Sequence, residues 1–218
     1  MTDPTASITA YWDAAAAAFD DEPDHGLRDI RTRAAWDRRL RSWVPAGPVD
    51  VLDAGCGTGT LALLLAAAGH RVSGVDLAPR MVAAARAKFA ASGLVGHFQV
   101  GDAAAPPVSE RRFDVLLSRH LLWTLPDPEA ALRAWVARLR PGGRLVLVEG
   151  RWGEAGQDGA PYVAGAGALP WGGGVGAERL ADAVRPLVAG LRVEPLDGDP
   201  ELWGRPVSDE RYALIAEV

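Results

Sequence analysis

The chain has 218 residues, of which 49% are hydrophobic and 23% are charged, the proportions of a soluble globular protein. Its formal net charge of -5 makes nucleic acid an unfavourable partner, since nucleic-acid binders usually carry a basic face. The single cysteine, Cys56, excludes an internal disulfide and a multi-cysteine metal site, and no apolar run reaches the ~18 residues that a membrane span needs. The N-terminus lacks the pattern of a secretory signal, so we expect a cytoplasmic protein without a membrane partner.

The N-terminal part of the chain predicts helices. The alanine-rich stretch ITAYWDAAAAAFD predicts a helix from about Thr9 to Asp20, and a polar break follows from Asp20 to Leu27. A second helix is predicted from about Arg28 to Trp43, before the turn cluster PAGP. We therefore divide the chain into a helical cap, residues 1–46, and a main domain, residues 47–218.

The main domain opens with an apolar strand that runs directly into a glycine-rich turn, VLDAGCGTGT. Asp53 closes the strand, and Gly55, Gly57 and Gly59 follow at alternate positions, so the backbone can turn sharply and approach a ligand closely. A dinucleotide fingerprint, G-x-G-x-x-G, would place its third glycine at position 60, where this chain has Thr60. The spacing therefore argues against a nicotinamide cofactor.

Strands and helices alternate after this turn, which predicts a parallel sheet with right-handed crossovers. A glycine-rich insertion at 151–176 interrupts the alternation and is either a lid, as its aromatic residues favour, or a poorly ordered segment. The last two strands lack a crossover helix between them, so the final strand should be antiparallel. The predicted strands are 49–53, 71–76, 97–101, 113–118, RLVLVEG at 144–150, 191–196 and 211–217, and the predicted helices are 58–68, 79–92, 128–140 and 177–189.

Two acidic residues follow neighbouring strands in the sequence. Asp53 precedes the glycines, and Asp76 ends the next strand, in VSGVDLAPRM. This pair resembles the first two motifs of the class I S-adenosylmethionine (SAM) dependent methyltransferases, and the resemblance extends from about Tyr11 to the C-terminus. It implies an α/β, Rossmann-like fold with a seven-stranded sheet in the order 3-2-1-4-5-7-6, an antiparallel last strand and an N-terminal helical cap. It also implies SAM as the cofactor.

Ligands of open parallel sheets bind outside the carboxyl ends of the strands, where the strand order reverses. Asp76 is placed to accept hydrogen bonds from both ribose hydroxyls, although it could instead cap the helix that follows. Leu77 and Met81 could sandwich the adenine ring, or could be plain core residues. The resemblance implies that Asp102, with backbone help from Ala103, accepts from the adenine amino group.

The methionine portion of the cofactor has its own predicted contacts. In the resembled family a tyrosine of the cap often lies near the methionine carboxylate, and Tyr11 occupies that place, although it could equally be an apolar anchor of the cap. The other residues implied are Asp53, Gly55, Gly57 and Gly59 in the glycine-rich turn, and Ser118 and Arg119 at the end of the fourth strand.

Two histidines are candidate catalytic bases. His120 follows the fourth strand and could take a proton from an acceptor hydroxyl or amine, although a structural histidine at the start of a helix is equally common. His25 in the polar break is the other candidate, because neighbouring carboxylates could orient it. Trp152 and Trp171 are candidate walls of an acceptor pocket, whereas Trp123 is interpreted as core.

We therefore predict an enzyme that transfers a methyl group from SAM to an oxygen or nitrogen of a small metabolite and releases S-adenosylhomocysteine. The reaction needs no metal, and proximity and alignment supply most of the catalysis. A single lysine beside 22 arginines is typical of a GC-rich bacterial genome. The alternatives are a SAM- or nucleoside-binding module without turnover, a methyltransferase acting on RNA or protein, and a nicotinamide oxidoreductase. The sequence indicates nothing about oligomeric state.

Overall fold

The computed structural model describes residues 4–109, 111–152, 163 and 166–218, and its centre is a single seven-stranded sheet. The strand order is β3-β2-β1-β4-β5-β7-β6, and only β7 runs antiparallel to its neighbours. The predicted fold and strand order are therefore confirmed. The strands are β1 Asp50–Ala54, β2 Arg71–Asp76, β3 Gly96–Val100, β4 Phe113–Arg119, β5 Leu139–Arg151, β6 Gly190–Pro195 and β7 Glu210–Glu217.

Eight α-helices are described, most of them between consecutive strands. Short 3-10 turns lie at Phe19–Asp21, Leu122–Thr124, Ala166–Ala168 and Arg185–Leu187. Among the described helices none is long and apolar enough to cross a membrane. The helices are α1 Thr5–Ala15, α2 Pro23–Gly26, α3 Ile30–Trp43, α4 Thr60–Ala67, α5 Pro79–Ser92, α6 Pro128–Val136, α7 Ala177–Val184 and α8 Pro200–Trp203.

The core has two layers because successive strand residues point to opposite faces of the sheet. Val51 of β1 joins the layer that contains α3, α4 and α5, with Trp36 of α3 fully buried in it. Leu52, the next residue, joins the other layer, which contains α6 and α7. The helix α3 from the predicted cap thus contributes directly to the core beneath the sheet.

Several predicted helix boundaries were wrong, each for a local reason. The first helix is Thr5–Ala15, not Thr9–Asp20, and the predicted polar break contains a 3-10 turn and the short helix α2. The fourth helix begins at Thr60 because Gly59, with φ +76°, caps it in the left-handed conformation. Helix α6 ends at Val136, four residues early, because Leu139 already pairs with β4.

The C-terminal third also departs from prediction in detail. Helix α7 ends at Val184, and a 3-10 turn replaces its predicted last turn around Pro186, whose nitrogen cannot donate a hydrogen bond. The one-turn helix α8 lies between β6 and β7, where no helix was predicted. It is too short to form a crossover, so β7 is antiparallel, as predicted.

Residues 153–162 and 164–165 of the glycine-rich insertion, Tyr162 among them, lie outside the described residues, so its role as a lid stays a prediction. Its described aromatic residues have different places. Trp152 follows directly after β5, whereas the side chain of Trp171 is 2% exposed and packs in the core layer of α6 and α7.

Candidate functional site

A cavity of about 470 Å³ opens at the carboxyl ends of β1 to β4, where the strand order reverses. This volume lies within the range of ordinary small-molecule sites. The cap closes one side of the cavity and residues after β4 and β5 close the other. Of the residues predicted from the sequence, the walls include His25, Gly55, Gly57, Asp76, Leu77, Met81, Asp102, Ala103, Arg119 and His120.

The glycine-rich turn forms the floor of the cavity. The backbone N–H groups of Gly55 and Cys56 both donate to the carbonyl of Val75, which fixes the turn to the end of β2. Gly55 has φ +74°, and a Cβ there would lie 2.9 Å from a methyl carbon of Leu121, so a side chain would collide with the wall after β4. Backbone atoms therefore face the cavity directly.

Asp76 is the last residue of β2, Asp102 lies two residues after β3, and both line the cavity. The Oδ2 atom of Asp76 accepts from Gly57 N at 2.8 Å, and its Oδ1 atom accepts from Ala78 N at 2.9 Å. Asp102 Oδ1 accepts from Ala104 N at 2.8 Å. Burial raises the pKa of Asp76, although the backbone donors counteract this effect. Because burial makes the ionised form of Asp76 costly, a positively charged ligand nearby would stabilise that form.

Asp53 lies behind the glycine-rich turn, at the end of β1. The residue is 4% exposed, and burial together with the neighbouring charge of Asp76 raises its pKa to about 7. It lines a smaller pocket next to the main cavity, together with Gly55 and Arg119. Its carboxyl group can therefore influence the main cavity electrostatically through the turn.

The cap is attached to the glycine-rich turn by a cluster of polar contacts. Asp20 accepts a hydrogen bond from Thr58 Oγ1 at 2.5 Å and forms an ion pair with Lys88 at 2.9 Å. Lys88 also donates to Thr60 Oγ1 at 2.5 Å. These contacts hold Phe19 over Gly57, where a Cβ on the glycine would lie 3.4 Å from the ring. The cap thus covers the turn through specific bonds.

Arg119 joins the end of β4 to the cap. Its side chain is 11% exposed, its Nη1 donates to the backbone oxygen of Asp24 at 2.7 Å, and its Nη2 lies 3.1 Å from Asp24 Oδ2. The guanidinium also lies over the ring of Trp36 in a cation–π contact. Burial lowers the pKa of Arg119 from its usual value, and the charge of Asp24 opposes that shift.

His120 adopts a backbone conformation that is rare for a residue with a side chain. Its φ is +54°, in the left-handed region, which costs about 1–3 kcal/mol and tends to occur at functional sites. The ring stacks on Trp203 and meets Trp152 edge-on, with centroids 5.9 and 4.8 Å away. Its Nε2 atom is shielded from solvent and has no hydrogen-bond partner among the described residues. Burial and the nearby Arg119 lower its pKa well below the usual value.

His25 faces His120 from the cap. Its ring stacks on Phe19 at a centroid distance of 4.2 Å, and its Nε2 lies 3.7 Å from Asp24 Oδ2. Burial, followed by the charge of Arg119, lowers its pKa to about 4. Both cavity imidazoles are therefore uncharged near neutral pH.

Glu149, two residues before the end of β5, supports the site without lining the main cavity, and the sequence analysis missed it. It is 0% exposed, and its Oε1 accepts from the backbone N–H groups of Leu121 and Leu122, each at 3.0 Å. Burial raises its pKa to about 8. These bonds fix the turn that presents His120. A signal was present, because the residue follows an apolar run just as Asp76 does.

The remaining walls come from the cap, from the segments after β3, β4 and β5 and from the C-terminal part of the chain. Trp12 and Trp123 lie edge-on at 6.2 Å, and Trp123 meets Trp152 in the same way at 6.2 Å. Trp123, interpreted as core from the sequence, therefore also lines the cavity, as Trp152 does. Glu22 and Asp24, the carboxylates that the sequence offered to orient His25, also line the cavity. The other wall residues, which were missed, are Thr5, Ile8, Phe19, Ala104, Leu121, Thr124, Leu125, Pro126, Arg205 and Arg211.

Four predicted contacts lie elsewhere. Tyr11 is 43% exposed and packs edge-on against Trp12, and it is Trp12 that lines the cavity. Ser118 is buried and donates to the carbonyl of Ala54, which ties β4 to β1. Gly59 packs against α5. The fourth residue, Asp53, lies behind the glycine-rich turn.

Comparison with known proteins gives consistent results. Residues 51–143 match the family model for a methyltransferase domain. The chain is 36% identical over 140 residues to the ubiquinone biosynthesis O-methyltransferase of Xanthomonas axonopodis pv. citri. The aligned region covers 63% of this chain and 54% of that protein. The chain is 40% identical over 117 residues to the demethylmenaquinone methyltransferase of Thermus thermophilus, with coverages of 52% and 53%. The chain thus spans about half the length of these curated relatives.

Solved structures that are similar over almost the whole chain include a methyltransferase. A TehB-like SAM-dependent methyltransferase from Corynebacterium glutamicum superposes with a TM-score of 0.61 at 23% sequence identity, covering 95% of this chain and 97% of that one. At this level of identity the similarity concerns the fold alone.

Proposed function

We propose that the chain is a class I SAM-dependent methyltransferase, which binds SAM at the tips of β1 to β4 and methylates an oxygen of a small hydroxylated acceptor. The observation that carries the proposal is one shared cavity. The bare backbone of Gly55 and Gly57 lines it together with the strand-end carboxylates of Asp76 and Asp102, and with aromatic rings and two imidazoles on the opposite side.

The residues present fit SAM. The cofactor supplies a methyl group bound to a positively charged sulfur and already activated for displacement. Asp76 uses one lone pair of each oxygen for backbone donors, so each oxygen can still accept from a ribose hydroxyl. Asp102 Oδ2 is available for an adenine amino group, because the described bond to Ala104 uses Oδ1. The Asp53 and Asp76 carboxyls favour a cationic ligand on the floor of the cavity.

The acceptor compartment can accommodate such an acceptor. Trp12, Trp123 and Trp152 offer ring faces and edges to a flat, partly apolar molecule. His25 and His120 are the two candidate proton acceptors, and the shielded Nε2 of His120 offers a lone pair to a hydroxyl. Arg205 and Arg211 line the same cavity and would favour an acceptor that also carries a negative charge.

Calorimetric titration with SAM and S-adenosylhomocysteine tests the cofactor site. Asp76→Ala removes the acceptor of two ribose hydrogen bonds, and we expect affinity to fall at least about 100-fold, since each hydrogen bond to a charged group contributes about 1.5–3 kcal/mol. Asp182→Ala, which removes an exposed carboxylate from α7, is the matched control and should bind like the wild type. Equal affinities in the two variants would contradict the assignment.

Methyl transfer is tested separately, by following S-adenosylhomocysteine release with a panel of hydroxylated aromatic acceptors, including carboxylated members and their amides. We expect turnover with hydroxyl acceptors and none with their O-methylated analogues. SAM binding without turnover on any acceptor in the panel would favour the alternative of a binding module. Turnover with amines but not hydroxyls would contradict the preference for oxygen.

A further inference from the structure

Three side chains with metal-binding atoms meet on the acceptor side of the cavity. Asp24 and His25 come from the cap, His120 comes from the end of β4, and one ligand atom of each lies within 4.8 Å of the others. All three line the main cavity, so a bound ion would face open space on its remaining side. Two imidazoles and one carboxylate with open positions are a donor set typical of divalent transition metals.

An independent observation points to a ligand at this place. The Nε2 atom of His120 is buried and has no partner among the described residues, although an unsatisfied buried polar atom costs about 1–3 kcal/mol. The backbone of the same residue is held in the left-handed region, at a further cost. Glu149 fixes this turn through Leu121 and Leu122. The fold thus maintains an unfavourable conformation of His120, whose Nε2 atom remains without a partner among the described residues.

The charges around the cluster partly oppose and partly favour a cation. Arg119 lies 3.1 Å from Asp24 Oδ2, so an ion would have to share that carboxylate with a guanidinium. The described cavity walls nevertheless carry more carboxylates than guanidinium groups. The carboxylates are Glu22, Asp24, Asp76 and Asp102, and the guanidinium groups are Arg119, Arg205 and Arg211.

We propose that Asp24, His25 and His120 bind a divalent transition-metal cation, of the zinc, cobalt or iron(II) class, whose open positions face the acceptor compartment. The site prefers these ions to Mg²⁺, which favours oxygen ligands. An acceptor hydroxyl that binds the cation would release its proton to solvent more readily, and the resulting oxygen anion would offset the positive charge. This consequence rests on the proposed methyl transfer, whereas cation binding does not.

The four histidines of the chain allow a balanced experiment. Tag-free protein, with bound metal removed by a chelator that is then dialysed away, is titrated with Zn²⁺ and Co²⁺ by calorimetry, and the Co²⁺ titration is also followed by visible absorption. We expect one ion per chain, with affinity reduced at least about tenfold in His25→Ala and in His120→Ala. His70→Ala and His97→Ala remove the two histidines outside the cluster and should bind like the wild type.

Folding and function are monitored in the same variants. Far-ultraviolet circular dichroism and SAM affinity show whether each variant is folded, and a variant that fails both is replaced by His→Gln at the same position. Loss of metal binding with SAM affinity retained supports the site. Unchanged metal affinity in both cluster variants, absence of stoichiometric binding by the wild type, or equal affinity for Mg²⁺ would overturn it. Each result is independent of methyl release, so failure of the proposed function would be seen separately.

Discussion

A methyl group added at Gly59 would test how the glycine-rich turn is packed. Gly59 has φ +76°, and a Cβ there would lie 2.9 Å from the Cβ and 3.3 Å from the Cα of Ala85 in α5. An alanine in the left-handed region costs about 1 kcal/mol. Overpacking against atoms that cannot move away adds about 1–3 kcal/mol. Gly59→Ala should therefore lower the free energy of unfolding by about 2–4 kcal/mol.

Gly93→Ala is the matched control, because Gly93 has φ +67° and a Cβ added there would meet nothing within 4 Å. It carries the backbone cost alone and should lose about 1 kcal/mol. In thermal unfolding, a difference of about 2 kcal/mol between the variants corresponds to about 4–8 °C for a chain of this size. Equal losses would refute the packing argument. If Gly59 contacts the cofactor, as the sequence predicts, Gly59→Ala would also weaken SAM binding, whereas a purely packing role leaves the affinity of the folded variant unchanged.

Three further changes test charge and cap contacts. Burial raises the pKa of Asp53 from 3.8 to about 7, so ionisation of Asp53 destabilises the fold increasingly as the pH rises from 3.8 to about 7. The stability advantage of Asp53→Asn over the wild type in urea unfolding should therefore grow by up to about 1.4 kcal/mol per pH unit across that window. A difference that stays constant with pH would contradict the shift. Glu149→Gln keeps an acceptor for the N–H groups of Leu121 and Leu122, whereas Glu149→Ala leaves both groups unpaired at a cost of about 1–3 kcal/mol each. Thermal unfolding should therefore show Glu149→Ala to be the less stable variant. Equal stability of the two variants would argue against these bonds. Lys88→Met removes the ammonium group that holds the cap. If the attachment of the cap loses about 1 kcal/mol of free energy, limited proteolysis of the N-terminal segment should become about fivefold faster. An unchanged rate would show that other contacts hold the cap.

The sheet was predictable because its signals are local and periodic. Strand β2 and helix α5 were predicted with the bounds that the structure has, since apolar periodicity and the turn residues on either side agree. The ends of α4, α6 and α7 were less predictable. They depend on one left-handed glycine, on an early strand pairing and on a proline that was predicted to lie within a helix.

The residues of the site also differ in whether they can be predicted from local sequence signals. A carboxylate at the tip of a parallel strand can be recognised from the strand alone, because the topology brings every such tip to one edge of the sheet. The structure places Asp76 and Asp102 in the cavity for this reason. The same rule also points to Glu149, two residues before the end of β5, although Glu149 does not line the main cavity. Asp53 obeys the rule in sequence yet lies behind the turn, since only the backbone of the glycines reaches the cavity.

The other walls depend on contacts between the two ends of the chain. Helix α8 packs on the cap: Trp36 Nε1 donates to the carbonyl of Leu202, 166 residues away, and the rings of Trp36 and Trp203 meet edge-on. This packing brings Arg205 and Arg211 to the cavity that Asp24 also lines. No periodicity or spacing encodes such a pairing. If the choice of acceptor depends on these walls, it is determined by how the two ends of the chain pack together. A sequence can therefore show a cofactor motif without indicating which acceptor the protein uses.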